Sequence, residues 1–337
     1  MLIHVEPSEH VAATVERVAA AGRPDLEQAE ALVDVALDLQ KQPRAPQDLF
    51  DALYLYEKAV TLAEEFPAAR ARAIAGRGSA LRRMPGGGLE ALEGARSSFE
   101  EALPVLREVG EPEEVAEIEM SLGLVLQALA NDHKASLGSA VAAYQRALKV
   151  FSRGRFPREF AILHNNLATA YLSMRLSPEQ GKMREALAVQ SFREALKVVT
   201  LEEDPTEYAM LQNNLGNALQ AVQTSHRFEN LHRAVEAYDE ALKVRTEYDT
   251  PVEYANTLAN KANALMNLPD VPGEEEKGNP KNTRQAIELL RKARAVFSEH
   301  HLPDRAQMVG ELVDGLTREL LAHGGDEHPS NGNGAEG

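Results

Sequence analysis

A fifteen-residue segment occurs three times in this chain in related forms: PREFAILHNNLATAY from Pro157, PTEYAMLQNNLGNAL from Pro205 and PVEYANTLANKANAL from Pro251. Each copy opens with a proline, and comparable segments open at intervals of 43 to 52 residues along most of the chain. The opening prolines are Pro24, Pro67, Pro112, Pro157, Pro205, Pro251 and Pro303. A period of about 40 to 50 residues is typical of stacked helical repeats rather than of one globular core.

The opening prolines indicate where helices begin. Proline suits the first turn of a helix because its fixed φ matches helical backbone and its missing N–H would have no partner within the helix. Apolar residues at helical spacing follow each of these prolines. Asp204 and Thr250 stand directly before two of them and are predicted to cap their helices through their side chains.

A second landmark predicts a second helix in every repeat. An aromatic residue is followed three and four positions later by Ala and an aliphatic residue, and another Ala stands four positions before it. The ring positions are Tyr56, Phe99, Tyr144, Phe192 and Tyr238, with Leu290 in the same place in the last repeat. These spacings put the residues on one helix face, so that the small Ala lets a neighbouring helix approach and the ring fills the adjoining space.

The two landmarks together resemble the tetratricopeptide repeat family, from about Pro24 to Leu321. The proline that usually ends that family's second helix is replaced here by Glu64, Arg107, Ser152, Thr200, Thr246 and Ser298. The second helix is therefore expected to continue, and the repeats of about 45 residues are similar to the extended ones of kinesin light chains. The resemblance implies an all-α fold, a right-handed α-solenoid of about six helix-turn-helix repeats with a C-terminal capping helix.

The organisation along the chain follows from the first and last repeats. Residues 1–23 are predicted to be an N-terminal segment with a short helix, and residues 24–322 to be the repeat domain. Residues 323–337 are rich in Gly and Asn and lack an apolar anchor, so they are predicted to be a disordered tail.

Charge and composition exclude several classes of function. Lys and Arg number 36 against 52 Asp and Glu, and the resulting net charge of −16 disfavours nucleic acid and anionic membranes as partners. There is no Cys, no apolar stretch long enough to cross a membrane and no signal-peptide pattern at the N-terminus. The sequence therefore predicts a cytoplasmic protein.

Motifs for catalysis or cofactor binding are missing from the sequence. It contains no GxxxxGK[ST] phosphate loop, no GxSxG nucleophile motif and no HExxH zinc motif. His300 and His301 are adjacent and cannot form the i, i+4 pair of a helical metal site. The sequence predicts no enzyme activity, no cofactor and no metal site.

Asparagine recurs at fixed positions in the first helices. Asn166, Asn214 and Asn260 lie nine residues after their opening prolines, and Asn217 and Asn263 lie twelve residues after theirs. Asparagine is a mediocre helix former, so its recurrence in register suggests a shared task. The family resemblance implies that these positions line a concave groove and hold the backbone of a ligand. The alternative is a structural ladder, in which the amides bond adjacent helices or merely face water.

The second repeat differs from the others in its charge, because residues 67–88 contain five Arg and no acidic residue. By register, Arg72 and Arg83 fall at positions that line the groove in the family, and arginine binds carboxylates with two parallel hydrogen bonds. The alternative is that the arginines neutralise acidic residues of neighbouring helices. Those acids are Glu57, Glu64, Glu65, Glu100 and Glu101.

Two interpretations of function follow from these patterns. The first is a non-enzymatic scaffold or adaptor that binds a peptide or helix of a partner protein in the groove, with assistance in the assembly of another protein as a special case. An acidic segment in the partner would suit the arginines. The second is a sensor or regulatory module that binds a signalling peptide or a small molecule. Neither the oligomeric state nor the partner follows from the sequence.

Overall fold

The computed structural model describes residues 6–174, 178–222, 226–271, 273–274 and 278–324, and these ranges contain fourteen α-helices and no β-strand. The helices are α1 (Glu9–Ala20), α2 (Asp25–Lys41), α3 (Pro46–Leu62), α4 (Pro67–Arg83), α5 (Gly88–Val109), α6 (Pro112–Asn131), α7 (Leu137–Ala147), α8 (Pro157–Ser173), α9 (Pro178–Ala195), α10 (Pro205–Ala221), α11 (Arg227–Leu242), α12 (Pro251–Met266), α13 (Pro280–Glu299) and α14 (Pro303–Gly324). Across the described ranges, no helix has the length and hydropathy needed to cross a membrane.

The helices form two compact units. Residues 1–174 make the N-terminal unit, with α1 to α8, and residues 175–337 make the C-terminal unit, with α9 to α14. Within the units, the two helices of a repeat pack against each other: α2 with α3, α4 with α5, α6 with α7, α10 with α11 and α12 with α13. The second helix of one repeat also packs against the first helix of the next, as α3 does with α4 and α11 with α12. This is the predicted α-solenoid of helix-turn-helix repeats.

The predicted helix starts are confirmed, but the predicted side-chain caps are wrong. The last six opening prolines are the first residues of α4, α6, α8, α10, α12 and α14, and Pro24 directly precedes α2. Neither Thr250 nor Asp204 accepts a capping hydrogen bond through its side chain. Their ψ angles of 60° and 66° depart from the extended backbone that directs a cap side chain at the helix N–H groups.

Rings of the second helices pack on residues of the first helices that have no side chain. A Cβ atom at Gly123 would lie 2.4 Å from Cε1 of Tyr144, and one at Gly216 would lie 2.5 Å from Cε1 of Tyr238. Both tyrosines are fully buried. Each glycine stands eleven residues after its opening proline, so this position sets how closely the two helices of a repeat approach.

The second helices do not all continue as the missing proline suggested. α5 extends to Val109, ten residues after its ring, but α7 ends at Ala147, three residues after Tyr144. A turn follows α7 and carries Phe151 into the core, where it is 2% exposed. α9 and α11 also end within four residues of their rings. α3 ends at Leu62, two residues before Glu64, so the predicted continuation is wrong for four of the six second helices. At α7 the turn lets Phe151 be buried.

The first and last helices are attached to their neighbours. The backbone N–H and the hydroxyl of Ser8, at the start of α1, donate to the buried carboxylate of Asp51 on α3 at 2.9 and 2.6 Å. At the other end, α14 packs on α13. The predicted tail lies, from residue 325 onward, outside the described residues, and the domain boundaries stay predictions.

Candidate functional site on the first helices

The amide residues of the C-terminal unit lie on α10 and α12, which are the first helices of consecutive repeats. Asn214 and Asn217 lie on α10, and Asn260 and Asn263 occupy the same two positions of α12. Residues three apart lie on one face of a helix. We call these four residues the amide surface. Asn217 and Asn263 are exposed, while Asn214 and Asn260 are partly buried.

One set of hydrogen bonds connects the two helices at Asn213. The Oδ1 atom of this buried residue accepts from Nδ2 of Asn260 and from the hydroxyl of Thr257, each at 3.2 Å. Its own Nδ2 lies 3.5 Å from Oδ1 of Asn214. The inner amides therefore join α10 to α12, as the structural alternative for the asparagines predicted.

A second set of hydrogen bonds meets at Gln220, which the sequence analysis did not single out. Its Oε1 accepts from Nδ2 of Asn263 at 2.9 Å, and its Nε2 donates to the backbone carbonyl of Asn260 at 3.2 Å. Nε2 also donates to the hydroxyl of Tyr238 at 2.5 Å, and that hydroxyl in turn donates to Oδ1 of Asn217 at 2.7 Å. Burial raises the pKa of Tyr238, so the hydroxyl stays protonated and available as a donor.

In three residues of the amide surface, one of the two groups of the side-chain amide has no hydrogen-bond partner among the described residues. Oδ1 of Asn214 and of Asn217 is used, but Nδ2 of each is not; in Asn263 it is Nδ2 that is used and Oδ1 that is not. Each of these amides thus uses one group in a bond within the chain and presents a donor or an acceptor with the other, while the bonds that join α12 to α10 come from Asn260 and Asn263. The groove and ladder interpretations are therefore compatible in these residues.

The fourth repeat contributes Asn166 on α8, in the N-terminal unit. Its Nδ2 and the Oδ1 of Asn165 are buried and have no hydrogen-bond partner in the described part of the chain. The backbone carbonyl of Asn166 accepts from the hydroxyl of Thr169 at 3.0 Å. Buried side-chain amide groups usually have a partner, so these two atoms mark a place where a ligand could supply one.

The tyrosine–glutamine contact is a recurring feature. The hydroxyl of Tyr144 donates to Oε1 of Gln127 at 2.8 Å, and that of Tyr56 donates to Oε1 of Gln40 at 2.9 Å. The sequence carries a signal for it: a Gln near the end of the first helix occurs in the three repeats whose ring is Tyr. In the repeats with Phe99, Phe192 and Leu290 the corresponding residues are Arg82, Leu172 and Met266.

This pairing predicts a non-additive mutational cycle. Tyr144→Phe should lower the free energy of unfolding by about 1 kcal/mol, because it leaves Oε1 of Gln127 without its donor. Adding Gln127→Leu should recover part of that loss, since the pair then matches the combination of Phe192 and Leu172. Urea denaturation of the two single variants and the double variant checks this, and strictly additive losses would contradict it.

Arg72 and Arg83 both have partners within the chain. Arg72 binds Glu114 of α6 through two parallel bonds, from Nε at 2.8 Å and from Nη2 at 3.2 Å. This contact raises the pKa of Arg72. Arg83 donates from Nη1 to the backbone carbonyl of Gln40 at the end of α2. The two arginines therefore connect neighbouring first helices of the N-terminal unit.

Two other arginines of α4 contact one acidic residue of the following helix. Arg70 lies 3.0 Å and Arg77 3.6 Å from the carboxylate of Glu101 on α5. Arg77 also donates to the hydroxyl of Ser98 at 3.2 Å. Neutralisation of neighbouring acidic helices accounts for these two residues, and Glu101 is one of the acids that the sequence indicated.

Arg82 differs from the other four arginines. Its Nε is buried and has no partner among the described residues, and its guanidinium forms no ion pair there. Burial lowers the pKa of Arg82, and the like charge of Arg83 lowers it further. This residue was not predicted as a site residue, although it stands where three other repeats have the glutamine that bonds to a ring hydroxyl.

A buried ion-pair network lies between α5, α6 and α7. The carboxylate of Glu119 on α6 is 2% exposed and accepts from Arg146 of α7 through two bonds of 2.8 Å each. Arg107 of α5 adds a third bond at 2.5 Å. The hydrogen bonds to Glu119 raise the pKa of Arg146. Three helices of two consecutive repeats thus meet at one carboxylate.

The described residues show no cluster of His, Cys, Asp and Glu side chains that could hold a metal ion.

No protein-family model matches the chain, and no curated protein matches its sequence. Solved structures do match it. BtubC (BKLC) from P. vanneervenii aligns with a TM-score of 0.51 at 21% identity, covering 70% of this chain and 88% of that one.

A second similar structure is a Signal Transduction ATPase with Numerous Domains (STAND) protein with a tetratricopeptide repeat sensor, from Pyrococcus horikoshii. It aligns with a TM-score of 0.58 at 14% identity and covers 89% of this chain. The chain spans only 42% of that protein's length. At these identities the similarity concerns the fold. The chain has the tetratricopeptide-type helical repeat fold that its sequence resembles.

Proposed function

We propose that this chain is a non-enzymatic protein-interaction scaffold or adaptor, and that its amide surface binds an extended segment of a partner protein. The divided use of the amides carries the proposal: one half of Asn214, Asn217 and Asn263 bonds within the chain, and the other half has no described partner. Side-chain amides match the donor and acceptor of a peptide group, so they can hold a ligand backbone whatever its side chains are.

Asn166 and Asn260 complete the proposed contacts. In Asn166 the unused donor is buried, and a carbonyl of the partner would satisfy it. Asn260 donates to Asn213 through Nδ2 and, like Asn263, keeps an Oδ1 that bonds to no described residue and would accept an N–H of the partner.

An acidic segment of the partner is proposed to contact the second repeat. Arg72 and Arg83 remain proposed contacts, but a carboxylate of the partner must compete with Glu114 for the first and with a backbone carbonyl for the second. Arg82 has no such competitor among the described residues. A carboxylate of the partner would therefore gain the most binding free energy at Arg82, where it would also compensate the half-buried charge of the guanidinium.

A sensor or regulatory module is the second candidate function. The observation that favours it is the similarity in fold to the STAND protein, whose repeats are described as a sensor. In that case the ligand would be a signalling peptide or a small molecule. A cytoplasmic location remains a prediction from composition under either function.

The scaffold proposal can be tested with two variants that remove only the outer donor. Asn214→Asp and Asn217→Asp keep the Oδ1 atoms that bond within the chain but replace the unused NH₂ by a carboxylate oxygen, which cannot donate. We expect unchanged melting and a loss of about 1 to 2 kcal/mol in partner affinity for each variant. The measurement is quantitative affinity capture followed by titration calorimetry with the captured segment.

The matched control is Gln190→Glu, which makes the same amide-to-acid change at an exposed position of the second helix α9. It should leave binding unchanged. Asn260→Ala, in contrast, should lower the melting temperature, because it removes the donor to Asn213. If Asn214→Asp and Asn217→Asp bind the partner as well as the control Gln190→Glu does, the amide surface is not the binding site.

A further inference from the structure

An apolar stripe is exposed on α14, the last described helix. Met308 is 68% and Leu312 is 40% exposed, and the partly buried Leu316 follows after another four residues. Residues four apart lie on one face of a helix. Large apolar side chains rarely stand in a row on the surface unless something covers them.

The stripe does not lie on the face that would meet a second helix of the same repeat. In inner repeats, the position eleven residues after the opening proline faces the ring of the repeat's own second helix, as Gly123 and Gly216 do. In α14 this position is the exposed Asp314, and the exposed Arg318 follows four residues later. Charged residues therefore give α14 a solvated end face, as expected of a cap. Leu312 lies two residues from Asp314, about 200° around the helix.

Two opposite charges flank the apolar stripe. Arg305 stands three residues before Met308 and Glu319 stands three residues after Leu316, and both are exposed on the same face. Neither forms an ion pair with a described residue. Arg305 donates one hydrogen bond, from Nη1 to Oδ1 of Asn256 at 3.3 Å.

The stripe is self-complementary about Leu312. Met308 and Leu316 lie four residues to either side of it, and Arg305 and Glu319 lie seven residues to either side. An antiparallel second helix of the same sequence, related by a two-fold axis at Leu312, brings Met308 against Leu316 and Arg305 against Glu319, each twice. A two-fold interface requires this kind of self-matching pattern.

We propose that α14 pairs with α14 of a second copy of this chain, antiparallel and centred on Leu312. The charge pattern selects this occupant, because apolar residues meet apolar ones and each flanking charge meets its opposite. Residues 325–337 contain no Leu, Ile, Val, Met or Phe, so their sequence offers no large aliphatic side chain that matches the stripe. A single helix pair buries less than the roughly 1,200 to 2,000 Å² of stable interfaces, so the dimer is weak and depends on concentration.

Sedimentation velocity tests the proposal on the full chain, over concentrations from about 1 to about 500 µM, which span the micromolar affinities of small interfaces. The chain should shift from monomer to dimer over this range. Leu312→Asp should weaken self-association by about tenfold or more. Leu321→Asp is the matched control, because Leu321 is 74% exposed on the opposite side of α14 and should leave the dimer intact.

Charge reversal distinguishes the specific pairing from unspecific association. Arg305→Glu should weaken the dimer because the new Glu then faces Glu319 of the second copy, and adding Glu319→Arg should restore it. A chain that stays monomeric throughout, a dimer insensitive to Leu312→Asp, or a double variant without rescue would overturn the proposal. Association with another protein through this stripe, without self-association, would overturn it as well.

The lack of cysteine allows a direct check of the geometry. Leu312→Cys places one thiol at the two-fold axis, and a short bis-maleimide should link two copies there. Leu321→Cys should give little linked dimer at the same concentration. Equal linking of the two variants would contradict the placement of the axis.

Discussion

The Arg146→Ala variant is expected to lose about 2 to 3 kcal/mol of unfolding free energy, although it removes a side chain that is 41% exposed. The reason lies in its partner, because Glu119 is 2% exposed and would keep only Arg107. A buried carboxylate that loses two of its three hydrogen bonds is poorly compensated. Urea denaturation of the wild type and the variant measures the difference.

Two further variants sharpen this prediction. Glu119→Leu should cost less than Arg146→Ala, because Ile74 and Leu258 occupy the same position in other repeats and both arginines can then reach water. Arg96→Ala, which breaks an exposed i, i+4 pair with Glu100, should change stability by less than about 1 kcal/mol. A Glu119→Leu variant that is less stable than Arg146→Ala would contradict this account of the network.

Gly123→Ala is expected to destabilise the chain by about 2 kcal/mol, against the usual direction for this substitution in a helix. Alanine is the better helix former by about 1 kcal/mol, but here its Cβ would lie 2.4 Å from a ring carbon of the fully buried Tyr144. Overpacking of a well-filled core costs about 1 to 3 kcal/mol, so the ring contact outweighs the propensity. Urea denaturation of the wild type and the variant gives the size and the sign of the change in unfolding free energy.

The matched control is Gly315→Ala in α14, where an added Cβ would meet nothing within 4 Å, and this variant should be more stable than the wild type. A rescue is also available. Combining Gly123→Ala with Tyr144→Leu should cost less than the two single variants together, since the sixth repeat pairs Ala262 with Leu290. Stabilisation by Gly123→Ala alone would show that the ring can move aside.

The proposals for binding and for self-association concern different surfaces of the C-terminal unit. The amide surface consists of residues on α10 and α12, and the proposed dimer uses α14 alone. Asn214→Asp and Leu312→Asp can therefore be compared directly, because each should alter one property and leave the other unchanged.

The repeat architecture could be predicted because it depends on local chemistry. A proline fixes its own φ and lacks an N–H, so Pro67 and Pro112, each followed by apolar residues at helical spacing, indicate helix starts without any knowledge of tertiary contacts. Rings such as Tyr144 and Tyr238 lie on the same helix face as the Ala residues beside them because 3.6 residues complete a turn. Periodicity therefore sufficed for the all-α repeat fold and for six of the helix starts to the residue.

The ends of the second helices and the caps depend on packing and were predicted less well. Lacking a proline, α7 could have continued past Ala147, and it stops where a turn lets Phe151 be buried. Thr250 has the right side chain for a cap, but its backbone conformation directs that side chain elsewhere. Neither the burial of a side chain nor a ψ angle can be read from a sequence window of a few residues.

The sequence alone determined which residues carry polar groups in register, and the tertiary structure decided which partners those groups bond to. The bonds of Asn260 and Asn263 reach residues 47 and 43 positions away, and those of Arg72 reach Glu114, 42 positions away. Partners at this distance meet only when consecutive repeats stack, and each polar group then bonds to the nearest available donor or acceptor as water is excluded. For this reason Gln220 and Glu119, neither of which was predicted as a site residue, became the points at which the helices are joined.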